Sequence, residues 1–170
     1  MPKALAQHGS RLFVERAAET LWHGGCSPVV VVLGAAADEV RARAELGDAT
    51  VVVNPDWAAG MGASVRAGLA ALRFTEADAA VVLLVDTPGV TPAAVARIAG
   101  LAAPDALAVA TYRGERGHPV LLGRAHWAGV AESAVGDVGA RPYLTRHEAR
   151  QVPCEDIASG EDVDRPPEAD

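Results

Sequence analysis

"ATVVVNPDWAAGMGASVRAGLAAL", residues 49–72, joins a β-branched run to a polar, glycine-containing loop and then to an apolar pattern with helical spacing. β-Branched runs favour strands, and apolar side chains three or four positions apart favour an amphipathic helix. The stretch therefore predicts a strand, a loop and a helix in direct succession. A chain built from such units forms an α/β fold around a mostly parallel sheet.

The same alternation of strand and helix patterns extends over most of the chain. Strands are predicted at Pro28–Leu33, Ala49–Asn54, Ala79–Val85, Ala106–Tyr112 and Pro119–Leu122. Helical windows lie between them, with Ser10 and Thr91 as predicted N-caps and Gly24-Gly25 as a helix stop. After Arg150 the acidic, proline-containing sequence "EDIASGEDVDRPPEAD" predicts a solvated tail.

Composition limits the classes of function. The 170 residues, half of them hydrophobic, are enough for one packed domain, and a net charge of −7 argues against a nucleic-acid-binding surface. The longest apolar run, "PVVVVLGAAA", is too short to span a bilayer, and no signal pattern is present, so we expect a cytoplasmic protein without a membrane partner. Cys26 and Cys154 belong to no metal-binding or disulfide pattern and are expected to be reduced thiols.

Asp86 is the first candidate for chemistry. In "AAVVLLVDTPGV", residues 79–90, it follows a predicted strand directly, and ligands of open parallel sheets bind beyond the carboxyl ends of the strands. A carboxylate there could hold Mg²⁺ against substrate phosphates. The alternative is an Asp that only forms the turn before Pro88.

The loop at residues 54–64 is the second candidate. Gly60 and Gly62 would let backbone N–H groups approach an anion at the start of a helix near Ser64. The alternative is an ordinary turn at Asn54 followed by a flexible loop and a capping serine. No GxxxxGK[ST] loop is present, and residues 60–65 match the dinucleotide fingerprint only weakly.

Lys3 is the only lysine in the chain, which could place a compact charge against a phosphate or could be chance.

Six segments together resemble the MobA-like nucleotidyltransferases, in particular the branch similar to molybdenum cofactor cytidylyltransferase. They are "PKAL" (2–5), "NPDWAAGMGASVRAGL" (54–69), "LLVDTPGV" (83–90), "GHPVLL" (117–122), "GDVGAR" (136–141) and "DVDRPPEAD" (162–170). The last segment has Arg165 where the family motif has threonine. The resemblance covers nearly the whole chain and implies a Rossmann-like three-layer α/β/α fold of the nucleotide-diphospho-sugar transferase type.

The resemblance also implies an activity and a set of site residues. A nucleotidyl group would pass from an NTP, CTP as the favoured donor, to a phosphorylated acceptor such as a molybdopterin cofactor, with a molybdoenzyme as a further partner. Mg²⁺ would be held by Asp86 with Asp162 or Asp164, and Lys3 would contact the triphosphate. The residues implied on the nucleotide and acceptor sides are Asn54, Gly60, Ser64, His118 and Arg141. For His118 the alternative is a β-turn at Gly117-His118, and for the segment from Asp137 to Arg141 it is a helix cap at Asp137.

One departure from the family concerns the N-terminus. Relatives have a strand and a loop of the form Leu-Ala-Ala-Gly-x-x-x-Arg-Met-Gly before the Pro-Lys element, whereas this sequence begins Met1-Pro2-Lys3. We therefore expect a single domain over 1–170 that is truncated at the N-terminus and lacks the first strand, with a gap in its sheet. Whether such a chain is active is left open.

Two other functions remain as alternatives. Some relatives with similar "NPDWAxGMGxSxRAGL" segments are described as nicotine blue oxidoreductases, which would make the chain an NAD(P)H-dependent redox enzyme. The missing phosphate loop would also suit a non-catalytic accessory protein that holds a nucleotide or cofactor.

Overall fold

The computed structural model describes residues 3–163. Within that range the strands are β1 (Gln7–His8), β2 (Arg11–Leu12), β3 (Val30–Leu33), β4 (Thr50–Val53), β5 (Ala79–Val82), β6 (Leu107–Tyr112), β7 (Glu115–Gly123) and β8 (Arg150–Pro153). The α-helices are α1 (Phe13–His23), α2 (Ala37–Arg43), α3 (Met61–Leu72), α4 (Pro92–Ala99), α5 (Trp127–Ser133) and α6 (Arg141–Arg146). Short 3₁₀ turns lie at Lys3–Leu5, Trp57–Ala59 and Arg124–His126.

The strands form three ladders. A β1–β2 ribbon is antiparallel, β3 pairs with β4 in parallel, and the largest sheet has the order β5-β7-β6-β8. In that sheet β6–β8 is parallel, while β7 runs antiparallel to both β5 and β6. Among the described residues, the β3–β4 ladder and the large sheet share no ladder hydrogen bonds.

Helices cover both faces of the large sheet, as a three-layer α/β/α fold requires. Because side chains alternate along a strand, Val120 and Leu122 of β7 face a core with α3, α5 and α6, whereas Leu121 faces a core with α4. A third core packs Leu5 and α1 on β3, and Val85 joins it. The α/β/α layering predicted from the sequence is therefore present.

The antiparallel direction of β7 follows from a tight hairpin. Arg113 and Gly114 join β6 to β7, and both have positive φ, 55° and 84°. Two central residues with positive φ make the turn whose twist matches a hairpin. Gly117 and His118 consequently lie inside β7, and the alternative of a β-turn there is wrong.

Several predicted boundaries differ from the structure. The strand from Ala79 stops at Val82, since the ladder with β7 ends there. Helix α1 begins at Phe13 and not after Ser10, because the carboxylate of Glu15 accepts a hydrogen bond from the N–H of Leu12 at 2.8 Å and serves the helix start. Thr91 is an N-cap, as predicted: its side chain accepts from the N–H of Ala94.

The chain after Arg150 is not a solvated tail throughout. Residues Arg150–Pro153 form β8 beside β6, and Cys154 is fully buried. This strand has the sequence Arg-Gln-Val-Pro and directly precedes the acidic segment; it pairs with β6, which is distant in sequence, so no local pattern predicts it.

Candidate functional site

Asp86 lies in a short loop between β5 and α4. Thr87, which is buried, donates a hydrogen bond from its hydroxyl to the carbonyl of Leu84 at 3.0 Å. The N–H of Val90 donates to the carbonyl of Thr87 at 3.2 Å and closes the turn. These bonds hold Asp86 at the predicted position beyond the strand, with only 13% of its side chain exposed.

The two oxygens of the Asp86 carboxylate have different surroundings. Oδ2 accepts a hydrogen bond from the ammonium of Lys3 at 2.8 Å, across 83 positions of sequence. Oδ1 is buried and has no hydrogen-bond partner within residues 3–163. A buried polar atom without a partner is costly, so Oδ1 is the atom of this loop that a bound cation or donor would satisfy.

The C-terminal segment approaches the same loop. The N–H of Val163 donates to the backbone carbonyl of Asp86 at 2.8 Å, which brings the neighbouring Asp162 to this part of the molecule. The Asp162 side chain is exposed. The second predicted acid of the pair, Asp164, lies outside the described residues.

His118 links these acids to the helix α6 side. Burial lowers the pKa of His118, the negative charges of Asp162 and Asp86 oppose that shift, and the positive charge of Arg141 adds to it. All three charges therefore act on one imidazole. The structure gathers five of the predicted residues in this region: Lys3, Asp86, His118, Arg141 and Asp162.

The loop at residues 54–64 is a second, locally built group. Asn54 is buried; its amide nitrogen donates to the hydroxyl of Ser64 at 3.1 Å, and its carbonyl oxygen accepts from the N–H of Asp56 at 3.0 Å. Ser64 is not a cap, because α3 begins three residues earlier at Met61. Asn54 and Ser64 thus bind each other across the loop.

The glycines of this loop are closely packed against another loop. A Cβ on Gly60 would lie 2.4 Å from the carbonyl oxygen of Gly136, and one on Gly62 would lie 2.5 Å from that of Ala134. The N–H of Gly62 already donates to Gly136 at 2.9 Å, and that of Gly60 to Trp57 at 3.1 Å. These two N–H groups are therefore bonded within the protein and do not point at an anion, and the wider expectation of an anion site at this loop stays a prediction.

The residues near Asp86 suit a hard divalent cation. Among the described residues no three His, Cys, Asp or Glu side chains form a complete metal-binding group. Mg²⁺ is usually held by one or two carboxylates together with phosphate oxygens and waters, so a full protein cage is not required. The unpartnered Oδ1 of Asp86 supplies the oxygen donor that such an ion prefers.

Three residues that sequence reasoning missed shape this region. The Tyr112 hydroxyl donates to the carbonyl of His118 at 2.6 Å, and burial raises the pKa of Tyr112 to about 12, so it remains a donor. Gly160 lies against the Tyr112 ring, and Gly89 lies against Ser159. The only sequence signal was the glycine after Asp86-Thr87-Pro88; nothing local marks Gly160.

The α/β fold and a family match together place the chain in the nucleotidyltransferase class of enzymes. Residues 1–152 match the family model described as the MobA-like NTP transferase domain, and the chain belongs to this family. Membership implies an NTP and an acceptor as substrates.

The chain is also similar to individual known proteins. It is 40% identical over 172 residues to the nicotine blue oxidoreductase of Paenarthrobacter nicotinovorans, covering 96% of this chain and 83% of that protein. A crystal structure of the Mycobacterium tuberculosis H37Rv protein Rv0371c in complex with manganese superposes with a TM-score of 0.78 at 27% identity, covering 90% of this chain and 81% of that one. Molybdopterin-guanine dinucleotide biosynthesis protein A of Archaeoglobus fulgidus shares the fold, with a TM-score of 0.60 at 18% identity over 92% of this chain and 77% of that one.

No helix in the part of the chain from residue 3 to residue 163 combines the length and hydrophobicity needed to cross a membrane.

Proposed function

We propose that the chain transfers a nucleotidyl group, CMP from CTP in the favoured case, to a small phosphorylated acceptor such as molybdopterin cofactor, with Mg²⁺ or a similar divalent cation at Asp86. The observation that carries the proposal is the buried, unpartnered Oδ1 of Asp86 beside the Lys3 ammonium. The manganese complex of the similar mycobacterial protein supports a divalent cation in this type of fold.

The proposed roles follow from charge and position. The cation would neutralise the triphosphate and polarise its oxygens. Asp86 and Asp162 or Asp164 would hold it, and Lys3 would turn from Asp86 towards the phosphates when the nucleotide binds. An acceptor phosphate oxygen would attack the α-phosphorus, the bond from that phosphorus to the β-bridging oxygen would break, and pyrophosphate would leave. Such transfer depends on positioning and charge neutralisation and needs no protein nucleophile.

The remaining predicted residues would act on the substrates at the edges of the site. Arg141, which is exposed, would contact an acceptor phosphate, and the uncharged His118 would donate or accept a hydrogen bond there. Asn54, Gly60 and Ser64 would form the wall of the nucleotide or acceptor pocket by holding its backbone in place.

The test is pyrophosphate release from each of CTP, GTP, ATP and UTP, with a molybdopterin-type acceptor and Mg²⁺ or Mn²⁺. We expect release with CTP, dependent on the cation and lost in Asp86→Asn. Asp48→Asn removes an exposed carboxylate from a turn and serves as the matched control. Release that continues at the wild-type rate in Asp86→Asn would contradict the proposed role of Asp86.

A redox function is the second candidate, favoured by the 40% identity to a nicotine blue oxidoreductase. It predicts saturable NAD(P)H oxidation that depends on a quinone-like dye, without pyrophosphate release. Tight nucleotide binding without either reaction would instead favour a non-catalytic accessory protein. The same preparation can be assayed for all three outcomes.

A further inference from the structure

Residues 154–163, the C-terminal strap, run from the end of β8 to the Asp86 loop. The N–H of Cys154 continues the β6–β8 pairing by donating to Thr111 at 2.9 Å. Further along, the N–H of Ser159 donates to Gly89 at 3.1 Å, and that of Val163 donates to Asp86 at 2.8 Å. The backbone of the strap is thus joined to the Asp86 loop at two positions, Asp86 and Gly89.

Two glycines allow this close approach. A Cβ on Gly160 would lie 2.4 Å from the ring of Tyr112, and a Cβ on Gly89 would lie 2.8 Å from the carbonyl oxygen of Ser159. Distances below 3.0 Å require one of the two partners to move. The strap ends in exposed residues, so it can move more easily than the ring of Tyr112, which lies in β6. Any side chain at position 160 would therefore lift the strap from the loop.

An ion pair fixes the first half of the strap. Arg97 of α4 donates from two nitrogens to the two carboxylate oxygens of Asp156, at 2.8 and 3.0 Å, and also to the carbonyl of Pro153 at 2.8 Å. The hydrogen bonds from Arg97 lower the pKa of Asp156, although both side chains are exposed to solvent. The hydroxyl of Thr91, at the start of the same helix, donates to the carbonyl of Ile157 at 3.0 Å.

We propose that Arg97 and Gly160 are positioning residues that dock the strap, and that docking of the strap and binding of the divalent cation at Asp86 stabilise each other. The inference rests on the proposed function for the location of the cation. It goes further in assigning control of the cation site to the strap and to two residues, Arg97 and Gly160, that do not contact Asp86.

The physical basis is the sharing of Asp86 between strap and cation. The N–H of Val163 binds the backbone carbonyl of Asp86, and the negative charge of Asp162 acts on His118 together with that of Asp86, so both charges would attract a cation in this region. Undocking removes both, so the cation binds more weakly. Coupling between two binding events is reciprocal, so the cation must in turn hold the strap more firmly.

The experiment measures both sides of this coupling on the full chain, with Mn²⁺ alone as the probe. Free Mn²⁺ is followed by electron paramagnetic resonance to obtain its Kd. Hydrogen–deuterium exchange of peptides covering 154–163 is measured with and without Mn²⁺. We expect Mn²⁺ to slow exchange in the strap and Asp86→Asn to abolish that effect.

Variants separate docking from charge. Gly160→Ala should speed strap exchange and raise the Mn²⁺ Kd by about tenfold. Asp156→Asn should raise it by about threefold, since exposed ion pairs are weak. Glu155→Gln is the matched control, because it removes the same charge one residue earlier from an exposed side chain and should leave the Kd unchanged. Arg97→Lys, which keeps the charge but loses the two-pronged bond, should fall between wild type and Asp156→Asn.

Each outcome decides the proposal. A Kd unchanged in both Gly160→Ala and Asp156→Asn, in protein whose strap exchanges faster, would overturn the coupling while leaving Asp86 as a cation ligand. Equal effects of Asp156→Asn and Glu155→Gln would reduce the result to net charge and also overturn it. Absence of Mn²⁺ binding in the wild type would contradict this inference and the proposed function together, whereas coupling without nucleotide turnover would contradict the proposed function alone.

Discussion

The loop at residues 54–64 and the Asp86 loop both follow a strand, yet the hydrogen-bond partners of their polar groups differ. In the first, Asn54 uses its amide nitrogen and oxygen within ten residues of sequence, and the N–H of Gly62 bonds to a neighbouring loop. In the second, Asp86 keeps one buried oxygen without a partner in the described chain and meets its cation, Lys3, from far away in sequence. We infer that the first loop is a support and the second is where a ligand completes the structure.

This contrast predicts opposite effects of substitution on activity and stability. The largest effect is expected from Asp86→Asn on pyrophosphate release, a loss of about a thousandfold, or about 4 kcal/mol of transition-state stabilisation. Its free energy of unfolding, measured by urea titration, should stay close to that of the wild type. A variant that unfolds far more easily would place Asp86 with the supporting residues and break the comparison.

Gly60→Ala should have the largest effect on stability in the support loop. Gly60 has φ 111° and ψ −177°, a region that only glycine adopts readily, and an added Cβ would lie 2.4 Å from the carbonyl oxygen of Gly136. We expect a loss of about 3 kcal/mol in the free energy of unfolding. Gly9→Ala is the control, since its φ is also positive but nothing lies within 4 Å. Equal losses in the two variants would show that the contact between the two loops is unimportant.

Asn54→Ala should lower the free energy of unfolding by somewhat less than Gly60→Ala. It leaves the N–H of Asp56 and the hydroxyl of Ser64 without their partner in a partly buried setting, which costs about 1 kcal/mol. Calorimetric unfolding measures the loss. Steady-state kinetics on the folded protein should show a change in KM larger than that in kcat. If kcat fell as far as in Asp86→Asn with stability intact, Asn54 would belong to the chemistry after all.

The smallest expected effect is the pH dependence due to His118. Burial lowers its pKa in the folded state, so below its unfolded pKa of about 6.5 the unfolded chain binds the proton more readily. Stability from this group is therefore full above that pH and is lost as pH falls towards the lower folded pKa. The free energy of unfolding of the wild type and of His118→Asn is measured by urea titration across pH 5–8. Relative to the variant, the wild type should lose about 1 kcal/mol or less of this free energy at the acid end. A constant difference across that range would contradict the assigned burial.

Sequence predicted the support loop better than the site. The strand–loop–helix order at 49–72 is local, so the pattern of β-branched and apolar residues was enough to give β4 and α3. The position of Asp86 beyond β5 could also be predicted, because an uninterrupted apolar run at residues 79–85 precedes it in the sequence, although the strand itself ends at Val82. The surroundings of Asp86 could not be predicted. Lys3 and Val163, which contact Asp86, each lie about 80 positions away from it in the sequence, on opposite sides.

The strap shows the same limit in another form. Its acidic composition indicated a solvated tail, yet its backbone bonds to Gly89 and Asp86, and Gly160 packs on Tyr112. Backbone pairing and the absence of a side chain carry no local signature, so sequence reasoning could name Asp162 through a family resemblance but could not show what would hold it. The membership in the MobA-like family confirmed the fold and class that the six short segments indicated together.

The most direct test of the central claim is the position of Mn²⁺ in crystals of the chain grown with CTP, located by anomalous diffraction. The account predicts a peak about 2.0–2.2 Å from a carboxylate oxygen of Asp86, with the Lys3 ammonium moved from Asp86 to the phosphates. A peak elsewhere, with the Lys3–Asp86 pair intact beside a bound nucleotide, would contradict it.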